Sequence, residues 1–230
     1  MSSYIFELVQ MREKLQKERK AFGNRLGAIE RGDDSPADGE KAVFEKYFTH
    51  FEQLEQDADK EIATYIEMHP LYPYITGVKG IGPSLAAQII CHIDIRKADT
   101  ASALWRYAGY AVFDGEKERP VKGEKLHYNK NLKTVFYKAS SSMMRGNSPY
   151  RRIYDSAKEY YEANRSDWTK GHIHMASIRK MTKVFIMHLW SVWREIEGLE
   201  TRELYVQEKL GHNHIIKPDE FGWYECREAK

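Results

Sequence analysis

The feature that most constrains the fold is a glycine-rich turn between two apolar segments. The stretch ITGVKGIGPSLAAQIICHI holds Gly80-Ile81-Gly82, and Pro83 follows at once. Glycine lets the backbone turn with positive φ and approach a neighbour closely. Proline suits the first position of a helix. The pattern therefore predicts two helices joined by a tight turn.

Such a turn favours the binding of an anion. The second helix presents unpaired N–H groups at Ser84–Leu85 and the positive end of its dipole. Lys79 lies beside the turn, where it can add a charge-assisted contact. This layout is that of a helix-hairpin-helix motif, which holds nucleic-acid backbone phosphates without reading bases. The alternative is a plain turn between two core helices, but the small residues Ala86 and Ala87 favour the motif because they let helices pack closely.

Two long helices are predicted before this motif. Residues 3–31 and residues 44–65 each carry apolar side chains at a spacing of four and three residues. The segment Gly32–Glu40, GDDSPADGE, interrupts them with glycine and proline. We therefore expect an antiparallel coiled-coil hairpin. Its apolar stripe either continues into another copy of the chain, giving a homodimer or higher oligomer, or packs on the rest of the chain.

The whole chain is predicted to be all-α, in three parts. Residues 1–69 form the coiled-coil helical hairpin, residues 70–197 a helical domain containing the helix-hairpin-helix motif, and residues 198–230 a C-terminal tail. Within the domain, helical periodicity is predicted at 102–109, 131–145, 150–163 and 173–197.

Charge is unevenly distributed along the chain. Residues 1–70 hold 10 Lys and Arg against 15 Asp and Glu, whereas residues 117–152 hold 10 against 2. A basic cluster interleaved with tyrosines is typical of a phosphate-binding face, although a solvated surface is the commoner reason for a charge run. The residues predicted to contact nucleic acid are Lys79, Gly80, Gly82, Ser84, Lys117, Arg119, Lys122, Lys125, Lys130, Lys133, Lys138, Arg179 and Lys180.

Other classes of site are disfavoured by the residue patterns. Cys91 and Cys226 form no CxxC pair, and two histidines spaced like His172 and His174 point to different helix faces. No metal, cofactor or catalytic residue is therefore predicted. The start of the chain has no signal peptide and no stretch is long and apolar enough to span a membrane, so we expect a cytoplasmic protein with no membrane partner.

An ordered series of strings resembles the C-terminal half of transposases of the insertion sequence 110 family. The strings are YITGVKGIGPSLAAQII, ALWRYAGYAVFDGEKERPVKG, NKNLKTVFYKASSSMMRGNSPYRRIYDSAKEYY and GHIHMASIRKMTKVFIMHLWSVWR, over roughly residues 70–197. The resemblance implies helix-hairpin-helix elements, an upstream coiled coil used in assembly, and DNA as partner, with a structured guide RNA as a second candidate partner.

The resemblance has two departures from the family pattern. Family members carry a RuvC-like catalytic domain before the coiled coil, and we expect this chain to lack it. They also carry a serine used in strand exchange, but the matching place here holds Asp114. Ser140, Ser141 and Ser142 lie on the next helix.

Three hypotheses follow. The first is a transposase-like nucleic-acid-binding protein that is not an enzyme on its own. The second is a subunit of a DNA transposase or recombinase whose catalytic domain lies on another chain. The third is a structural module that uses its arm and aromatic surfaces for protein contacts, and failure to bind nucleic acid at low salt would favour it.

Overall fold

The all-α prediction is confirmed in the computed structural model of the chain. The structure describes residues 3–37, 39–112, 122–123, 125–201 and 217–224, and no strand occurs in these ranges. The eight α-helices found there are α1 Ser3–Glu30, α2 Glu40–Ile66, α3 Tyr72–Gly77, α4 Pro83–His92, α5 Ala101–Tyr107, α6 Lys130–Arg145, α7 Arg151–Asn164 and α8 Lys170–Ile196. Short 3-10 turns occur at Ile95–Lys97 and Pro218–Phe221.

The chain divides into two compact units, which meet between Met68 and His69. The first unit is the predicted antiparallel hairpin of α1 and α2. Arg12 pairs with Asp59 at 2.9 Å, and the ring of Phe22 stacks on the ring of Phe51 with centroids 5.7 Å apart. Because residues later in α1 meet residues earlier in α2, the two helices run in opposite directions.

The second unit is built around α8. This helix packs against α5, α6 and α7, and its buried side chains occur on several sides of the helix rather than along one stripe. A helix that is apolar on most of its circumference lies inside a domain. The amphipathic helix predicted over 173–197 is therefore the central helix of this unit.

Part of the predicted C-terminal tail also belongs to this core. Phe221 and Trp223 are fully buried, and the indole Nε1 of Trp223 donates to the hydroxyl of Tyr150 at 2.6 Å. The same hydroxyl lies 2.6 Å from Nδ1 of His188 on α8. The segment around Phe221 thus closes the core, although nothing in its sequence periodicity indicated this. Cys226, His212 and His214 lie outside the described residues.

None of the described helices is long and apolar enough to cross a lipid bilayer.

Candidate nucleic-acid interface

The glycine-rich turn joins α3 to α4, as the sequence predicts. The amide N–H of Ile81 donates to the carbonyl of Val78 at 2.9 Å and closes the turn. Gly82 is the N-cap of α4, and Pro83 occupies the first turn of that helix. Val78, Ile81, Ala86 and other apolar residues on either side are buried. The turn is therefore held by burial of the apolar side chains on both sides of it.

The two glycines of the turn have different surroundings. Gly80 has φ of +100°, and a Cβ there would lie 2.8 Å from the Cα of Met143 in α6. Gly82 has φ of −89°, and a Cβ there would meet nothing within 4 Å. Packing against α6 explains the glycine at position 80. The open space at Gly82 leaves room for a ligand to approach the start of α4.

The exposed groups of the turn face solvent where a phosphate can reach them. Lys79, Gly82 and Pro83 are exposed, and Ser84 is half-buried. The side-chain amide of Gln88 donates to the carbonyl of Ser84 at 3.1 Å and to its hydroxyl at 3.3 Å. The Ser84 hydroxyl is thus already held by its own helix, and its backbone N–H at the helix start is the group that suits an anion.

Helix α6 places a polar face beside this turn. Its buried face consists of Leu132, Val135, Phe136, Ala139, Ser140 and Met143. The remaining positions carry Lys130, Tyr137, Lys138 and Arg145 at helical spacing. Because Gly80 contacts α6 at Ser142 and Met143, the Lys79 turn adjoins the Arg145 end of this face. We call Lys79, Lys130, Lys138 and Arg145, together with the turn, the α6 basic face.

The other end of α6 begins beside an open cleft of about 640 Å³. Its lining consists of Arg106, Tyr107 and residues 125–129. Asn129 organises this cleft: its Oδ1 accepts from the N–H of Leu132 and caps α6, while its Nδ2 donates to the hydroxyl of Tyr107 at 3.0 Å. Lys125 and Arg106 thus bring positive charge to this cleft, which lies at the start of α6.

The predicted lysines before and within α6 do not all have the same surroundings. Lys122, Lys125 and Lys130 are exposed. Lys133 is half-buried, with its Nζ 4.3 Å from the centre of the Tyr128 ring. Lys138 is half-buried as well. Lys117 and Arg119 lie outside the described residues.

The two cations predicted on α8 also differ. Nη2 of Arg179 donates to the carbonyls of Tyr110 and Ala111 at 2.7 and 2.9 Å, and burial lowers the pKa of Arg179. The guanidinium therefore holds the start of the segment that follows α5. Lys180 is exposed, so it is the one of this pair that a ligand can reach.

The serines and histidines weighed in the sequence have specific partners. Ser140 is buried, with its hydroxyl 2.7 Å from that of Thr182, which makes it inaccessible to a substrate. His174 Nδ1 lies 2.8 Å from the hydroxyl of Tyr154, whereas His172 stacks on Trp168. The two histidines therefore face different partners. Asp114 lies outside the described residues.

Sequence reasoning missed two cations of this surface. Arg145 lies at the end of α6 that contacts the turn, and Arg106 lines the cleft. Arg145 was part of the basic cluster, so its charge was visible in the sequence. Its place beside the turn depends on a packing contact between α6 and a segment more than sixty residues earlier.

Comparison with known proteins bears on this region. Residues 72–155, from α3 into α7, match the family model described as the Transposase IS116/IS110/IS902 family. The matched segment contains the turn, the cleft and all of α6, and α8 lies beyond it. Searches of curated proteins and of solved structures find no match.

Proposed function

We propose that this chain, whose residues 72–155 belong to the IS116/IS110/IS902 transposase family, binds the phosphate backbone of DNA as a transposase-related protein. The observation that carries the proposal is the contact of Gly80 with α6. It joins a helix start with open N–H groups to the cations of the α6 basic face.

The dimensions of the α6 basic face suit a nucleic-acid backbone. Helix α6 has 16 residues and is therefore about 24 Å long. That length equals the rise of roughly seven base pairs at about 3.4 Å each. The cations at both ends and the open start of α4 can then contact several phosphates at once. These contacts position a protein on a duplex without reading its sequence.

Self-association is part of the proposal. Tyr4, Met11, Val43, Leu54 and Tyr65 are large apolar residues of the hairpin that remain exposed. A second copy of the chain would cover such residues, in the manner of a coiled coil. Two copies would present two α6 basic faces to one nucleic acid.

The test of DNA binding is the salt dependence of affinity for a 20-base-pair duplex, measured by fluorescence anisotropy. Each lost phosphate contact lowers the slope of log K against log salt by about 0.9. A Lys125→Gln, Lys130→Gln, Arg145→Gln variant should therefore lose roughly two to three units of slope. The same experiment with a structured RNA hairpin compares the two candidate partners.

A matched variant controls for total charge. Lys41, Lys60 and Lys97 are exposed lysines that do not belong to the α6 basic face, and replacing all three with glutamine should leave the slope unchanged. Equal slopes for the two triple variants, or no binding by the native chain at low salt, would exclude this surface as the interface.

Family membership favours a second function, that of a recombinase component. Strand exchange needs metal-bound carboxylates or an activated hydroxyl, which another chain would complete in this hypothesis. Incubation of supercoiled DNA with the protein and Mg²⁺ tests it. Nicking or covalent attachment that Asp114→Ala removes would show that this chain contributes a catalytic group to the reaction.

A further inference from the structure

An aromatic cluster at the corner between α7 and α8 lies beyond the matched segment and outside the α6 basic face. The rings of Trp168 and His172 are parallel to within 5°, with centroids 4.0 Å apart. The Tyr161 ring lies 5.2 Å from that of Trp168, and the Arg165 guanidinium lies 5.5 Å from the same indole. Trp168 and His172 are thus stacked, while the Tyr161 ring is tilted by 38° against the indole. We call these four residues the corner stack.

The corner stack is held in place by both helices. The N–H of Trp168 donates to the carbonyl of Arg165 at 3.0 Å, and the N–H of Arg165 donates to that of Tyr161 at 2.9 Å. His172 lies in the first turn of α8, where its N–H donates to the Thr169 hydroxyl that caps the helix. The backbone positions of these residues are thus fixed before any ligand arrives, which reduces the entropy lost on binding.

The outer end of the stack is open. His172 is exposed, and its described ring contact is with Trp168. The His172 ring is stacked on one face and exposed to solvent. Its other face can therefore accept a further flat ring. Bases of single-stranded nucleic acid stack on aromatic side chains in this way, and the stacking tolerates any base.

The charge around the stack indicates that it contacts bases rather than phosphates. Arg165 and Lys170 are balanced by Glu162 and Asp167, and all four are exposed. The site has no net charge to attract a backbone, in contrast to residues 117–152. Stacking on His172 is therefore the main interaction that the corner can supply.

We propose that the corner stack binds an unpaired base of the nucleic acid, which stacks on the face of His172 opposite Trp168. This inference rests on the proposed nucleic-acid-binding function and specifies that the ligand has unpaired nucleotides next to a duplex. DNA strands opened during recombination and RNA loops share this chemistry.

The test compares a blunt 20-base-pair DNA duplex with the same duplex carrying a six-nucleotide single-stranded extension. The extension should raise the affinity of the native protein, and His172→Ala should remove most of that increase. Stacking of one base corresponds to roughly a 5- to 150-fold change in affinity. His172→Phe, which keeps a flat ring, should retain the increase.

Met175→Ala, at an exposed position one turn along α8, serves as the matched control. A parallel set with RNA extensions identifies the preferred strand.

The salt slope separates this proposal from the proposed function. His172→Phe should bind with the native salt slope, whereas the triple variant of the α6 basic face should not. If the native protein binds both duplexes with equal affinity, the corner stack is not a base-binding site and backbone binding stands. If it binds neither, both proposals fail. A third result would also overturn the inference: His172→Ala lowers the melting temperature, but the single-stranded extension still raises affinity as it does in the native protein. The stack would then only stabilise the start of α8, as a hydrophobic staple does.

Discussion

The hairpin and the α8-centred unit are both helical, but they differ in how many large apolar side chains they leave exposed. Among the described residues, eight large apolar side chains of the hairpin are exposed, against five in the longer unit, while the carboxylate of Glu55 in the hairpin is buried, with the residue only 5% exposed. The eight are Tyr4, Phe6, Met11, Val43, Tyr47, Leu54, Tyr65 and Met68. In the second unit, α8 has helical neighbours on several sides. The hairpin therefore depends on contacts between one pair of helices, whereas the second unit depends on the packing of several helices around α8.

The largest effect on folding is expected in the packed unit, from Gly80→Ala. The new Cβ would meet the Met143 backbone at 2.8 Å with φ of +100°. The left-handed conformation costs about 1–2 kcal/mol and overpacking about 1–3 kcal/mol. The free energy of unfolding should fall by about 2–5 kcal/mol. Tryptophan fluorescence during urea denaturation measures this in the second unit alone, since all five tryptophans follow residue 100.

Gly82→Ala is the matched control for that substitution, because a Cβ there meets nothing within 4 Å. It should leave the urea midpoint nearly unchanged, and any loss of DNA affinity would then reflect the approach of the ligand. Equal destabilisation by the two substitutions would contradict the contact between the turn and α6.

A smaller effect is expected in the hairpin, from Glu55→Gln. Glu55 accepts from Arg19 at 2.7 Å and lies 2.8 Å from Arg12. Removing a hydrogen-bonded charge of this kind costs about 1–3 kcal/mol. Far-UV circular dichroism should show that the hairpin helices unfold more easily, while tryptophan fluorescence should report an unchanged stability of the second unit. Asp57→Asn removes an exposed pair with Lys60 and should destabilise the hairpin less than Glu55→Gln does, because solvent screens exposed ion pairs.

The same carboxylate makes the hairpin sensitive to acid. Burial raises the pKa of Glu55, but the hydrogen bonds from Arg19 and Gln16 and the charge of Arg12 outweigh burial and hold the pKa below its ordinary value of 4.5. A lowered folded-state pKa means that this contribution is complete above the unfolded value and is lost as pH falls through the folded value. Below pH 4.5, native helix content should decline further than in Glu55→Gln. Parallel declines in the two proteins would assign acid sensitivity to other groups.

The smallest effect on folding is expected from Val43→Glu with Leu54→Glu, at two exposed positions of α2. Because neither side chain is buried in one chain, the free energy of unfolding of the monomer should change by less than about 0.5 kcal/mol. Self-association should weaken at least tenfold in light scattering, since charge would enter an apolar seam. Met175→Glu is the control in the other unit. A native protein that stays monomeric at high concentration would rule out the seam.

The sequence predicted the helices well and the interface less completely. Apolar spacing located both arms of the hairpin and the long α8, because 3.6-residue periodicity is a local property. Composition located the basic segment that leads into α6. It could not separate Lys130, which is exposed, from Lys133, whose ammonium lies over Tyr128. That distinction depends on a ring brought near by folding.

The sequence by itself determined the local features of the chain, namely where helices and turns form, which residues suit helix ends and where charge is concentrated. Gly80 was identifiable as a turn residue, and Pro83 as a residue suited to a helix start. Only the tertiary structure decided which of these residues pack against distant parts of the chain. The Met143 backbone explains Gly80, two loop carbonyls occupy Arg179, and Phe221 and Trp223 complete the core. The physical reason is that such contacts join residues that are distant in the chain. Whether a residue is buried therefore depends on side chains that the local sequence pattern does not reveal.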